Sequence, residues 1–155
     1  MILYFVCPYK SDSIDIYNKR QIRFEKQMIT YPEEAMELRE CFETLGGDYD
    51  DALSRMMNDA LVEKFIMKFP SDKTMDTMLT ALENNDTQQI FQAVHTMKGI
   101  AANLGFTRLC KASSDLTEQL RGKTDVTPDA GLVGELKDAY SLVVDTLSRY
   151  AAEKD

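Results

Sequence analysis

From residue 35 onward the apolar positions of this chain recur at intervals of three and four, the spacing that lines one face of a helix. The stretch TYPEEAMELRECFETLGG opens with Pro32 and two glutamates, repeats Ala35, Leu38, Phe42 and Leu45, and stops at Gly46-Gly47, so a helix with both ends marked is predicted. DYDDALSRMM predicts a shorter helix. NDALVEKFIMKFP predicts another, capped by Asn58 or Asp59, with Leu61, Phe65 and Phe69 as its inner stripe and Pro70 as its end. In SDKTMDTMLTALENND the expected cap is Ser71, and Met75, Met78, Leu79 and Leu82 form the apolar face, a core filling rather than a methionine-rich binding surface.

Two further segments and a long final one carry the strongest periodicity. Ile90, Val94, Met97, Ala101 and Leu104 are spaced 4, 3, 4, 3, the narrow seam of a bundle helix, and Gly105 follows. Phe106, Leu109, Leu116 and Leu120 precede Gly122. Val133, Leu136, Tyr140, Val143, Leu147 and Tyr150 line a helix expected from about Pro128 to Ala152, with Thr127 before its start. Short connections predict antiparallel neighbours. The expected fold is all-α, an antiparallel four-helix bundle over residues 33–155 with one or two short accessory helices on its N-terminal side.

Residues 1–32 differ. Lys10, Lys19, Arg20, Arg23 and Lys26 stand against Asp12, Asp15 and Glu25, a mildly basic segment on an acidic protein, expected to be a weakly structured extension or to pack on the flank. Its apolar start, MILYFVC, is far shorter than the roughly 20 residues that span a bilayer, and it lacks the marks of a secretory signal. A cytoplasmic protein is expected.

Charge and cysteine content narrow the function. With 26 acidic against 18 basic residues, a formal charge of −8 predicts repulsion from nucleic acid and from anionic membranes, and neither is an expected partner. Cys7, Cys41 and Cys110 are odd in number and follow no CxxC spacing, as reduced thiols would. A di-metal bundle needs Glu-x-x-His pairs, but Gln92-Ala93-Val94 precede the sole histidine, so no metal is expected.

That histidine, His95, lies in AVHTMKGIAANLG. At about 100° per residue it points about 140° away from Ile90 and therefore outward, on an arc that also holds Gln88, Phe91, Lys98, Gly99 and Ala102. Lys98 can set an ammonium beside the imidazole. Gly99 costs its helix roughly 1 kcal/mol relative to alanine, and removes the side chain that would cover the next turn. One nucleophilic ring, one cation and one gap suit an anion carried on the ring; a close helix crossing at Gly99 is the structural alternative.

The motif His95-x-x-Lys98-Gly99, closed by Asn103-Leu104-Gly105, resembles the signature of the histidine-containing phosphotransfer (HPt) domain family, over roughly residues 33–152. The resemblance implies a phosphorelay intermediate. His95 would accept a phosphoryl group, through Nε2, from a receiver-domain aspartate or a kinase and pass it to another receiver. Lys98 would steady the group, Gly99 would clear space for the partner, and Gln88, Phe91 and Ala102 would belong to the docking surface. Gly105 would be structural. Implied partners are response-regulator receiver domains and a sensor or hybrid histidine kinase. No cofactor is expected here, because the Mg²⁺ of the transfer belongs to the receiver. The implied protein is a phosphocarrier rather than an enzyme, and a monomer. No ATP-binding domain is legible, so a self-contained kinase is not expected; a non-phosphorylated adaptor that docks on receivers is the alternative. Two positions depart from the family pattern. Ile100 stands where a small residue is usual, and Thr117 stands where many members place a Glu or Gln that orients the imidazole, with Glu118 beside it.

Overall fold

In the computed structural model, which describes residues 36–154, the three- and four-residue spacing is realised as helix throughout. The elements are α1 (Leu38–Leu45), α2 (Tyr49–Met56), α3 (Asp59–Ile66), a 3-10 turn (Phe69–Ser71), α4 (Thr74–Glu83), α5 (Thr87–Leu104), α6 (Thr107–Leu120) and α7 (Ala130–Lys154). Residues 1–32, and with them the expected extension and the helix start at Pro32, lie outside the described residues. None of the helices described is long and apolar enough to cross a membrane.

The long helices α4 to α7 make the bundle. α5 packs against α4 and α6, and α6 packs against α7. Three residues join α4 to α5 and two join α5 to α6, lengths that turn each helix back along its neighbour. Every residue of the 4, 3, 4, 3 seam on α5 is buried, as are Leu109, Leu116 and Leu120 on α6 and Leu136, Val143, Leu147 and Tyr150 on α7. Each of the valine, leucine, isoleucine and methionine side chains among them contributes roughly 1.5–3 kcal/mol by leaving water. Phe106, between α5 and α6, is fully buried, with ring centroids 6.0 Å from Phe42 and 5.2 Å from Phe69, which ties the accessory helices to the bundle.

Four expectations need correction. The accessory helices are three, each of eight residues, rather than one or two. On α3 the inner stripe is Val62 and Ile66, while Leu61 and Phe65 are 41% and 43% exposed. Both stripes lead to the buried Phe69, which lies beyond α3 in the 3-10 turn, and packing against the core selects Val62 and Ile66. α4 is capped by Asp72, whose Oδ1 accepts from the Thr74 nitrogen at 2.8 Å; Ser71 is taken up in the 3-10 turn, its own nitrogen donating to the Lys68 carbonyl. α7 begins at Ala130 with Asp129 as the acceptor for the Leu132 nitrogen, two residues beyond the expected start at Pro128. In both cases a carboxylate close to the helix start provides the stronger charge-assisted acceptor.

The far end of α5 is held by backbone. Gly105 adopts a left-handed conformation, φ +71°, and its carbonyl accepts from the Asp48 nitrogen at 2.8 Å, while the Arg108 nitrogen donates to the Gly46 carbonyl at 3.0 Å. A Cβ at Gly105 would meet the Asp48 carbonyl oxygen at 2.5 Å. Gly105 therefore ends the helix and also lets the α1–α2 turn approach it.

Candidate functional site

α5 positions the site. Asp86 accepts from the Gln89 nitrogen at 2.9 Å and caps the first turn, Gly105 closes the last, and the buried seam fixes which arc faces outward. His95 sits near the middle of that helix with its side chain exposed, far from either end, where fraying would loosen it.

The residues expected on the outward arc are brought together there. Phe91, half-buried and packed against the core, lies one turn before His95, with ring centroids 5.9 Å apart and ring planes within 13° of parallel. Lys98 is half-buried one turn after. Gln88 is exposed and Ala102 half-buried on the same arc. At Gly99 an added Cβ would meet nothing within 4 Å, which removes the close helix crossing as a reason for glycine. The glycine is open to solvent, so its helix penalty has no packing return within the bundle. Ile100 packs sideways against the core and leaves the arc unchanged.

Thr117 is fully buried, and its hydroxyl donates to the Ser113 carbonyl at 2.6 Å, so it is turned into its own helix rather than toward the imidazole. Among the described residues no side chain hydrogen-bonds the His95 ring. The neighbouring Glu118 does take part in the electrostatics of the site. Arg121 grips its carboxylate at 2.9 and 2.7 Å and is the main cause of its lowered pKa, with Lys98 and His95 nearby adding to the effect. Glu118 on α6 and Arg121 just past its end are thus the acidic and basic groups beside the arc, and their pairing escaped the sequence reading. The signal that could have found it is the two-residue turn between α5 and α6, which sets His95 opposite residues 117 and 118 in an antiparallel register.

Among the described residues, the cysteines and the main cleft stand apart from this arc. Burial pushes the Cys41 thiol up to about 11, which removes it as a nucleophile, and Cys110 is half-buried. Cys7 lies outside the described residues. A cleft of about 410 Å³ opens between the starts of α5 and α7, lined by Thr87, Ile90, Val126 and Lys137 among others, and no residue of the outward arc borders it. His95 is an exposed side chain on the helix face, outside this cleft. Among the described residues no three His, Cys, Asp or Glu side chains converge to hold a metal ion.

Comparison with known proteins agrees with this geometry at the level of the family. The family model described as Hpt domain matches residues 60–146, more than half of the chain and inclusive of the whole outward arc. No curated protein and no solved structure matches the chain.

Proposed function

The chain belongs to the Hpt domain family, whose members act in phosphorelay histidine phosphotransfer, and on that premise we propose that His95 is the residue that carries the phosphoryl group. The observation that carries the proposal is the joint placement of an exposed imidazole, a lysine one turn on and open space over Gly99 on one arc of α5.

The Nε2 lone pair of His95 attacks the phosphorus of a receiver's aspartyl phosphate, the N–P bond forms, and the O–P bond breaks with its electron pair returning to the aspartate carboxylate. The proton on Nδ1 stays on the ring during the displacement. The product places roughly two negative charges beside Lys98, whose ammonium pairs with them as a mobile point charge. Delivery to a second receiver is the reverse displacement. An exposed imidazole on a helix face suits a division of labour in which the acidic Mg²⁺-binding pocket belongs to the partner.

Gln88, Phe91, Gly99 and Ala102 form the docking surface around the ring, and a receiver covers them in a transient contact of modest area. Kinase-fed receivers take their phosphate from ATP, which puts the exchange in the cytoplasm. Closure of the bundle seams on one core supports a monomeric carrier.

The test is incubation with a phosphorylated receiver. Acid-labile, alkali-stable phosphate that disappears in His95→Gln is the expected result. Label persisting in that variant rejects the assignment, and receiver binding with no label at all points to a docking adaptor instead.

A further inference from the structure

A phosphoaccepting imidazole has to present one ring nitrogen outward in a steady direction, because the incoming phosphorus must meet its lone pair in line. The ring turns about two side-chain torsions, and a histidine on an exposed helix face is free to sample several rotamers. A hydrogen bond to the second nitrogen is the usual restraint. Here that restraint is missing among the described residues: the Thr117 hydroxyl is committed to the Ser113 carbonyl, and the Glu118 carboxylate is held by Arg121 through both oxygens.

What lies against the imidazole is an aromatic face. Phe91 is four residues before His95, and helical side chains lean toward the N-terminus, so the histidine ring settles back over the turn that carries Phe91. The two rings are nearly parallel, 13° apart in plane and 5.9 Å between centroids, within the range of an offset stack. Phe91 is itself packed against the buried cluster and is a firm base for the stack. His95 remains exposed in this arrangement.

We propose that Phe91 is the positioning residue of this site: its stacked ring fixes the plane of the His95 imidazole and takes the place of a hydrogen-bonded orienting partner. This rests on the reading of His95 as phosphoacceptor and goes beyond a docking role for Phe91, because it acts before any partner arrives. A ring that gains positive character on phosphorylation is held more firmly over the phenyl face.

The experiment uses the full chain, with Phe91→Leu, which keeps an apolar side chain against the core, and Phe91→Tyr, which keeps the ring. Phosphoramidate serves as donor: its P–N bond breaks as ammonia leaves, the N–P bond to His95 forms, and no receiver docking is involved. Since the chain has one histidine, its carbon-bound imidazole protons can be followed by NMR without ambiguity. In Phe91→Leu these signals are expected to lose the displacement that the neighbouring ring current gives them, and phosphorylation is expected to slow by roughly 2- to 10-fold. Phe91→Tyr should restore both. Imidazole signals that stay at their wild-type positions in the leucine variant, or an unchanged phosphoramidate rate, overturn the proposal. Failure of the phosphoacceptor reading is separately visible as phosphate retained in His95→Gln.

Discussion

The Asp48 backbone nitrogen donates to the Gly105 carbonyl at 2.8 Å, so the turn between α1 and α2 is joined directly to the end of the helix that carries His95. Only a residue without a side chain permits the approach, because a Cβ at Gly105 would stand 2.5 Å from the Asp48 carbonyl oxygen and 2.9 Å from the Ala52 side chain. Left-handed backbone at this position adds its own penalty. Gly105→Ala is therefore expected to destabilise the protein by about 2–4 kcal/mol, combining backbone strain with overpacking. Urea denaturation measures it, and a loss below about 1 kcal/mol would show that the turn moves aside cheaply.

Gly99 is expected to behave in the opposite way. It is helical and a Cβ there would meet nothing, so Gly99→Ala should raise stability by up to about 1 kcal/mol through helix propensity alone. Gly99→Arg should also fold, yet slow transfer from a phosphorylated receiver while leaving phosphorylation by phosphoramidate near the wild-type rate. Equal slowing with both donors would mean that the side chain disturbs the imidazole rather than the approach of a partner.

Lys98→Ala removes the cation one turn from the imidazole and should leave the fold intact, since the side chain is only half-buried on the outer arc. The expected effect is a roughly 2- to 10-fold slower transfer or a correspondingly shorter phosphohistidine lifetime, in keeping with one solvent-exposed charge contact. Raised salt should shrink the gap between variant and wild type. Unaltered rates and lifetime at low salt would remove Lys98 from the site.

Glu63 on α3 accepts from Lys154 and, at 2.9 Å, from the Tyr150 hydroxyl, which holds the accessory helix to the end of α7. The Lys154 bond chiefly, with help from Tyr150, lowers the Glu63 pKa. A carboxylate whose folded pKa lies below the unfolded value, about 4.3, contributes stability above that pH and loses the contribution as pH falls through the folded pKa. The side chains are 34% and 45% exposed, so solvent screening limits the contribution to about 1 kcal/mol or less. Glu63→Gln should accordingly be slightly less stable than wild type at pH 7 and indistinguishable from it near pH 3. Urea midpoints whose difference stays constant between those pH values would exclude the linkage.

The helices and the outward arc were legible before any coordinates because both depend on local periodicity. The 4, 3, 4, 3 seam of Ile90, Val94, Met97, Ala101 and Leu104 is buried in full, and it alone determines that His95, Lys98 and Gly99 face away from the core. Where two seams compete, periodicity is blind. Leu61-Phe65 and Val62-Ile66 both lead to Phe69, and the choice between them belongs to the partners across the core. Cap positions shifted for a related reason: Ser71 and Thr127 are acceptable cap residues, but nearby Asp72 and Asp129 carry the stronger acceptor once the 3-10 turn and the approach to α7 set where each helix starts.

By itself the sequence determined an all-α bundle and the one face of α5 on which a histidine, a lysine and a bare glycine coincide, because helical geometry converts spacing directly into direction. Contacts between residues distant in sequence were decided only by the tertiary structure. It left Gly99, inside α5, open to solvent and pressed Gly105, at the end of that helix, against the backbone of the α1–α2 turn. It also turned Thr117 inward and left Phe91 as the surface against which the imidazole rests. Which way a side chain on α6 turns, and what stands beside a ring on α5, depend on how whole helices pack, and no local pattern in the chain encodes that distance.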